Sequence, residues 1–382
     1  MVAPWYEDVP EEASDIALTE YDITASPNDF NISTIFNFIE SGSLKIPVFQ
    51  RNYVWDVKRA SKLIESIIIG LPVPQIFLFE ESRNKFLVID GQQRLMSIYY
   101  FIKGRFPQKA KRAELRTVFD LNGHIPDRVL HDDVYFSPFN LQLSDSTPPN
   151  PLHASNYHTL GDRKTTFDLR TIRNVIIKQN LPKDDDDSSM YEIFNRLNSG
   201  GVNLWPQEIR ASLYHSDFYT MLYKANTDWR WRSLLGVEEP DLHMKDIETI
   251  LRGFALLIRG KSYRPSMTGF LNESSRQFKR LPLAEVVYLE QLFYSFLDAC
   301  SDLPPQSFYG KGGGFTISIY DAVFASFCSA AFEQHDVLKG KIDPVKLSRL
   351  KEDTEFFEAS QSRTAGKGNV KKRLSRAIEM LS

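Results

Sequence analysis

Asp90-Gly91-Gln92-Gln93-Arg94 sets an acid, a glycine, two amides and a guanidinium in five consecutive positions. A carboxylate can hold a metal ion or orient an attacking water, and a guanidinium is a planar fork of donors that suits phosphate oxygens. Phosphoryl transfer needs both, because charge must be neutralised while a water is positioned. The same residues also fit a plainer arrangement, with Asp90 as a helix N-cap and Arg94 as its surface ion-pair partner. Two consecutive glutamines weigh against the plainer one, since neither capping nor packing asks for them.

The flanking residues dictate how the five are held. Lys85-Phe86-Leu87-Val88-Ile89 is short, apolar and β-branched at its end, the pattern of a buried strand. After the motif, Leu95, Ile98, Tyr99 and Ile102 recur at helical spacing until Lys103-Gly104 stops the run. Strand, polar turn and helix place the acid at a strand's carboxyl end, use Gly91 for the turn and aim helix N-terminal amides at whatever lies above. Upstream, Asn31 or Ser33 caps a helix bearing Ile32, Ile35, Phe36 and Ile39, and Asp56 caps another bearing Ala60, Leu63, Ile64, Ile67 and Ile68 before Gly70. Residues 44–55 read as an extended piece with Pro47 suited to an edge, carrying Gln50, Arg51, Tyr53 and Trp55. Residues 75–80 read as a strand, Arg83-Asn84 as its turn, and Val175-Ile176-Ile177 as a further strand. Met190, Ile193, Phe194 and Leu197 then mark a helix whose end carries Asn195, Arg196 and Asn198 next to Ser199-Gly200-Gly201. The double glycine suits either a nest of amides for phosphate or an ordinary helix C-cap. The four aspartates at 184–187 fan out rather than converge, so they read as acids ahead of a helix and not as a metal cage.

Three of these stretches in this order carry a resemblance: Ile46-Pro47-Val48-Phe49-Gln50-Arg51-Asn52-Tyr53-Val54-Trp55, Asp90-Gly91-Gln92-Gln93-Arg94 and Ile193-Phe194-Asn195-Arg196-Leu197-Asn198-Ser199-Gly200-Gly201. The chain resembles the N-terminal domain family of GmrSD-type restriction enzymes, which is similar to the ParB and sulfiredoxin fold. The resemblance covers the first half strongly and runs more weakly to the C-terminus. It implies a bacterial anti-phage defence protein with nucleotide hydrolysis at the aspartate–glycine–glutamine–glutamine–arginine motif. Relatives often carry an HNH nuclease domain, fused or on a partner chain, and no HNH-like arrangement of histidine and asparagine is read in the C-terminal half.

At 382 residues the chain exceeds one average domain. The expected organisation is an acidic, loosely held lead-in over 1–27, a ParB/sulfiredoxin-like α+β domain over 28–212 with a small mixed sheet, and an all-helical domain over 213–382. The last expectation rests on helical spacing such as Met244, Ile247, Leu251, Phe254 and Ile258. Hydrophobic content of 42% and charged content of 25% are ordinary for a chain with a real core. Two cysteines, Cys300 and Cys328, lie in apolar helical runs and offer neither a disulfide framework nor zinc spacing. No apolar run approaches a membrane span, and Met1-Val2-Ala3-Pro4-Trp5 leads into acids rather than a basic, then apolar, signal, so a cytoplasmic location is expected.

A net charge of -3 gives no overall attraction to nucleic acid, so contacts must come from local patches. One candidate runs through Lys103, Arg105, Lys109, Lys111, Arg112 and Arg116, and another, near the C-terminus, through Arg363, Lys367, Lys371, Lys372, Arg373 and Arg376. Solvated helix faces explain both equally well.

Three function classes follow. In the first, the chain hydrolyses a nucleoside triphosphate and senses foreign or modified DNA. By residue chemistry together with the resemblance, Asp90 holds magnesium or water and Arg94 and Arg51 neutralise phosphate, while the resemblance implies that Gln50, Gln92 and Gln93 orient water or base; Gly91, Asn195, Arg196, Asn198, Gly200 and Gly201 are the further phosphate-cradle candidates. Tyr53 and Trp55, with Lys109, Lys111 and Arg112, are the candidate DNA contacts, although aromatic residues of this kind are more often core. The second class is a ParB-like, metal-dependent nicking endonuclease, disfavoured by the scarcity of acids and histidines around the motif. The third is a non-enzymatic DNA-binding module that recruits a nuclease subunit.

Overall fold

The computed structural model describes residues 5–7, 23–46, 53–112, 114–115, 118, 125–143, 150–179, 193, 205–241, 243–361 and 363–381. The chain forms two compact units, one of Thr19–Ser212 and one of Met1–Leu18 with Leu213–Ser382.

The first unit is α+β. Its sheet contains β1 (Ile23–Asn31), β2 (Leu44–Lys45), β3 (Ile76–Ser82), β4 (Lys85–Asp90) and β5 (Thr171–Gln179), in the spatial order β1-β5-β3-β4-β2. β1 is antiparallel to β5, β5 parallel to β3, β3 antiparallel to β4, and β4 parallel to β2. Phe86, Leu87, Val88 and Ile89 of β4 are buried at successive positions, as a strand covered on both faces requires. β3 and β4 form a hairpin whose turn uses the left-handed region at Asn84. Pairing steps from Leu78↔Val88 to Phe77↔Asp90, so Ile89 is the extra residue of a bulge. A bulge there re-aims the end of β4, where the motif begins.

The main helices of this unit are α1 (Ile32–Glu40), α2 (Val57–Ile69), α3 (Gln92–Lys103) and α4 (Arg163–Leu169), and the first two begin where local chemistry dictates. The Asn31 side chain accepts from the Thr34 amide, the Asp56 side chain from the Arg59 amide, and α2 stops at left-handed Gly70. Their inner faces meet in one core that includes Ile32, Ile64, Leu95, Ile98 and Phe101.

The second unit is helical: α5 (Asp217–Asn226), α6 (Lys245–Arg259), α7 (Met267–Phe278), α8 (Leu283–Ala299), α9 (Ile317–Phe327) and α10 (Lys367–Leu381) are its main elements. α6 is buried along most of its length, and Phe254, Phe293, Tyr320 and Phe324 make an aromatic centre. Cys300 and Cys328 are buried, unbridged thiols whose ionisation burial strongly suppresses. Among the described residues no helix is long and apolar enough to cross a membrane.

Of the stretch 1–27 read from the sequence as a loose lead-in, residues 5–7 and 23–27 are described. Tyr6–Glu7 pairs in parallel with Phe315–Thr316, the Trp5 indole N–H donates to Asp241, and Ile23–Asn31 is a nine-residue edge strand. That strand is exposed along most of its length, so no alternation of apolar residues marks it, and Pro27 disguises it further.

Candidate functional site

Gly91 is required twice over at the junction between β4 and α3. Its φ is +103°, and a Cβ there would lie 2.3 Å from Cγ2 of Ile76. Only glycine turns the chain this sharply against the neighbouring strand. Its carbonyl accepts the first helical bond from Leu95, so Gly91, and not Asp90, is the N-cap of α3.

Asp90 is thereby left free of capping. One carboxylate oxygen, Oδ2, accepts from Nη2 of Arg94 at 2.7 Å, while the side chain keeps 42% of its surface exposed. The other oxygen makes no hydrogen bond among the described residues. Arg94 is largely covered, and its Nη1 donates to the carbonyls of Pro74 and Gln75, the latter at 2.9 Å. The guanidinium therefore joins the approach to β3 to the start of α3 and fixes the carboxylate beside it. It is not the open phosphate fork that its type suggested. Asp90 is the reachable group, and Arg94 positions it.

The two glutamines differ. Gln92 is half-buried on the first turn of α3. Gln93 reaches sideways, and its Oε1 accepts from the amides of Val54 at 3.0 Å and Trp55 at 3.4 Å. One turn on, Ser97 Oγ donates to the Gln93 carbonyl and shares a 2.8 Å hydrogen bond with the Tyr53 hydroxyl. From the other side Nη2 of Arg112 donates to the Trp55 carbonyl at 2.9 Å, with its guanidinium over the Tyr53 ring. Residues 53–55 are thus stitched to α3 by side chains that grip their backbone. Ser97 was missed in the sequence, although its spacing of four from Gln93 was the available signal.

These bonds redistribute the expected DNA contacts. Tyr53 is buried in the core, and burial pushes its phenol far above the usual range. Trp55 is half-buried with the Arg59 guanidinium 4.6 Å from its ring centre. Arg112 is half-buried, and desolvation lowers its pKa. Lys103 pairs with Glu40, Arg105 with Asp133 and Lys111 with Glu114, which leaves Lys109 as the exposed cation of that stretch with no ion pair among the described residues. Gln50, Arg51, Arg116, Asn195, Arg196, Asn198, Gly200 and Gly201 lie outside the described residues.

The described residues of this junction do not by themselves make a divalent-ion cage. Among the described residues no three Asp, Glu, His or Cys side chains converge, and Asp90 is already neutralised by Arg94.

Residues 32–215 match the family model of the GmrSD restriction endonuclease N-terminal domain. An uncharacterized protein of Methanocaldococcus jannaschii is 25% identical over 158 residues, an alignment covering 35% of this chain and 25% of that protein. The match thus spans about a quarter of the length of that curated relative. No solved structure matches significantly.

Proposed function

We propose, from the match of residues 32–215 to the N-terminal domain model of GmrSD restriction endonucleases, that the chain serves restriction-type defence against phage by binding and hydrolysing a nucleoside triphosphate at Asp90. The observation that carries the reading is a half-exposed carboxylate with one oxygen unengaged among the described residues, held by Arg94 at the entrance to a helix with no acidic residue in its first turn. The positive end of α3 favours a phosphate beside it, and the Asp90 oxygen can take a proton from a water that attacks that phosphate. Magnesium in this scheme arrives with the triphosphate. Sensing of foreign or modified DNA, and cleavage by an HNH nuclease on a partner chain, belong to the same proposal and rest on the family.

Phosphate release by the purified chain tests it. Asp90→Asn is expected to abolish hydrolysis while lowering the thermal midpoint by no more than a few degrees, because the carboxylate is half-exposed and Arg94 keeps its bonds to the Pro74 and Gln75 carbonyls. Arg94→Ala is expected to lower both, since it also releases Pro74 and Gln75. Equal turnover in wild type and Asp90→Asn overturns the assignment. Metal-dependent nicking by the chain itself is the second reading; supercoiled plasmid nicked in an Asp90-dependent way, without nucleotide, would favour it.

A further inference from the structure

The helical unit contains a cleft that the reading above does not use. Two adjoining cavities share Lys261, Tyr263 and Lys367. One, of about 600 Å³, is polar and bordered by Arg259, Arg264, Ser266 and Glu273 as well. The other, of about 500 Å³, is walled by Leu256, Phe332, Val370, Leu374 and Ile378, with Lys371 and Glu333 at its edge.

The charge of this cleft is unbalanced. Five cations, Arg259, Lys261, Arg264, Lys367 and Lys371, stand against the carboxylates of Glu273 and Glu333. Glu273 is taken by Arg259 at 2.6 Å, and Glu333 lies 3.8 Å from a fully exposed Lys261. Arg264, Lys367 and Lys371 are exposed and make no ion pair among the described residues. Two helix N-termini add to the excess, for α7 is capped by Ser266 and α10 begins at Lys367, and neither has an acid in its first turn. Cations at the positive end of a helix are disfavoured unless an anion joins them. In a chain of net charge -3 this is a local reversal of sign.

The scaffold is fixed in advance. The Tyr263 hydroxyl donates to the Ala365 carbonyl at 2.5 Å, tying the α6–α7 connection to the residues that lead into α10. Arg373 is buried and donates to the carbonyls of Ala359 and Thr364, and Arg376 pairs with Asp353 and Glu379. Two arginines of the C-terminal basic run therefore hold the structure, while Lys367 and Lys371 border the cleft.

We propose that this cleft is a phosphate-recognition site of the helical unit, which takes the phosphates of a nucleotide-sized ligand among Arg264, Lys261 and Lys367 and its base in the apolar half. A concave, half-apolar site of this volume encloses a small molecule. A duplex backbone has no group for the apolar half. The nucleotide is either free or the 5′-phosphorylated end of a single strand, two sources with the same chemistry.

Equilibrium titration of the full chain carrying Asp90→Ala, so that ATP is not hydrolysed during the measurement, tests this with inorganic tripolyphosphate, ATP, and an oligonucleotide with and without its 5′-phosphate. ATP is expected to bind about tenfold more tightly than tripolyphosphate. Arg264→Ala with Lys367→Ala weakens both by about tenfold or more, whereas Lys372→Ala, on α10 but outside the lining, changes neither. Ser375 also lines the apolar half, and Ser375→Trp, which fills it, weakens ATP and spares tripolyphosphate. Tighter binding of the phosphorylated strand than of ATP, with the same dependence on Arg264 and Lys367, identifies the strand end as the source; the reverse order identifies the free nucleotide. Unchanged binding in the Arg264, Lys367 double variant, or equal weakening by Lys372→Ala, overturns the site, with unfolding midpoints confirming that each variant is folded. Failure here leaves hydrolysis at Asp90 untouched, because the readout is binding and Asp90 is absent throughout.

Discussion

Each unit contains an arginine–aspartate pair of nearly the same length, and the surroundings give the two pairs different tasks. Arg94 and Asp90 meet at 2.7 Å with the acid 42% exposed; Arg232 and Asp246 meet at 2.8 Å with exposures of 8% and 1%. Asp246 is saturated, since Oδ2 accepts from Arg232, Asn226 and the Asp241 amide while Oδ1 accepts from the Ile247 amide. Arg232 also donates to the carbonyl of Val237. A pair so enclosed is a strut, because losing one partner strands a charge away from water. Among the described residues Asp90 has a single partner, with solvent beside it, which is the condition for meeting a substrate.

Substitutions that test this contrast span a range of sizes. Asp246→Ala is expected to cost about 3–5 kcal/mol in urea unfolding, the scale for breaking a buried ion pair; a loss below about 1 kcal/mol would erase the distinction between the two pairs. Gly91→Ala comes next, at about 2–3 kcal/mol, because it adds a left-handed strain to a collision with Ile76. Gln93→Ala removes the acceptor from two backbone amides and is expected to cost about 1–2 kcal/mol, with faster amide hydrogen exchange at Val54 and Trp55 as its signature. Unchanged exchange there would mean that Ser97 and Arg112 suffice. Asp90→Asn, the smallest in stability, is the largest in hydrolysis.

What could be read in advance was local. Helix limits at Asn31, Asp56, Gly70 and Gly104 are set by caps within a few residues, and the β3–β4 turn at Arg83-Asn84 by its own chemistry. The parallel pairing of Ile76–Ser82 with Thr171–Gln179 joins residues about a hundred positions apart, and nothing in either strand names the other. Within the motif, the residue types announced an acid and a guanidinium, and the structure brings them together. The occupation of Arg94 by the carbonyls of Pro74 and Gln75 was illegible, because main-chain acceptors leave no mark on residue identity.

That same indifference to identity has a consequence at residues 53–55. Gln93 and Arg112 hold that segment by its amides and a carbonyl, while the Val54 side chain stands 56% exposed. The grip therefore survives substitution at the gripped position. Side chains at these positions can change one at a time without dislodging the segment from the helix that follows Asp90.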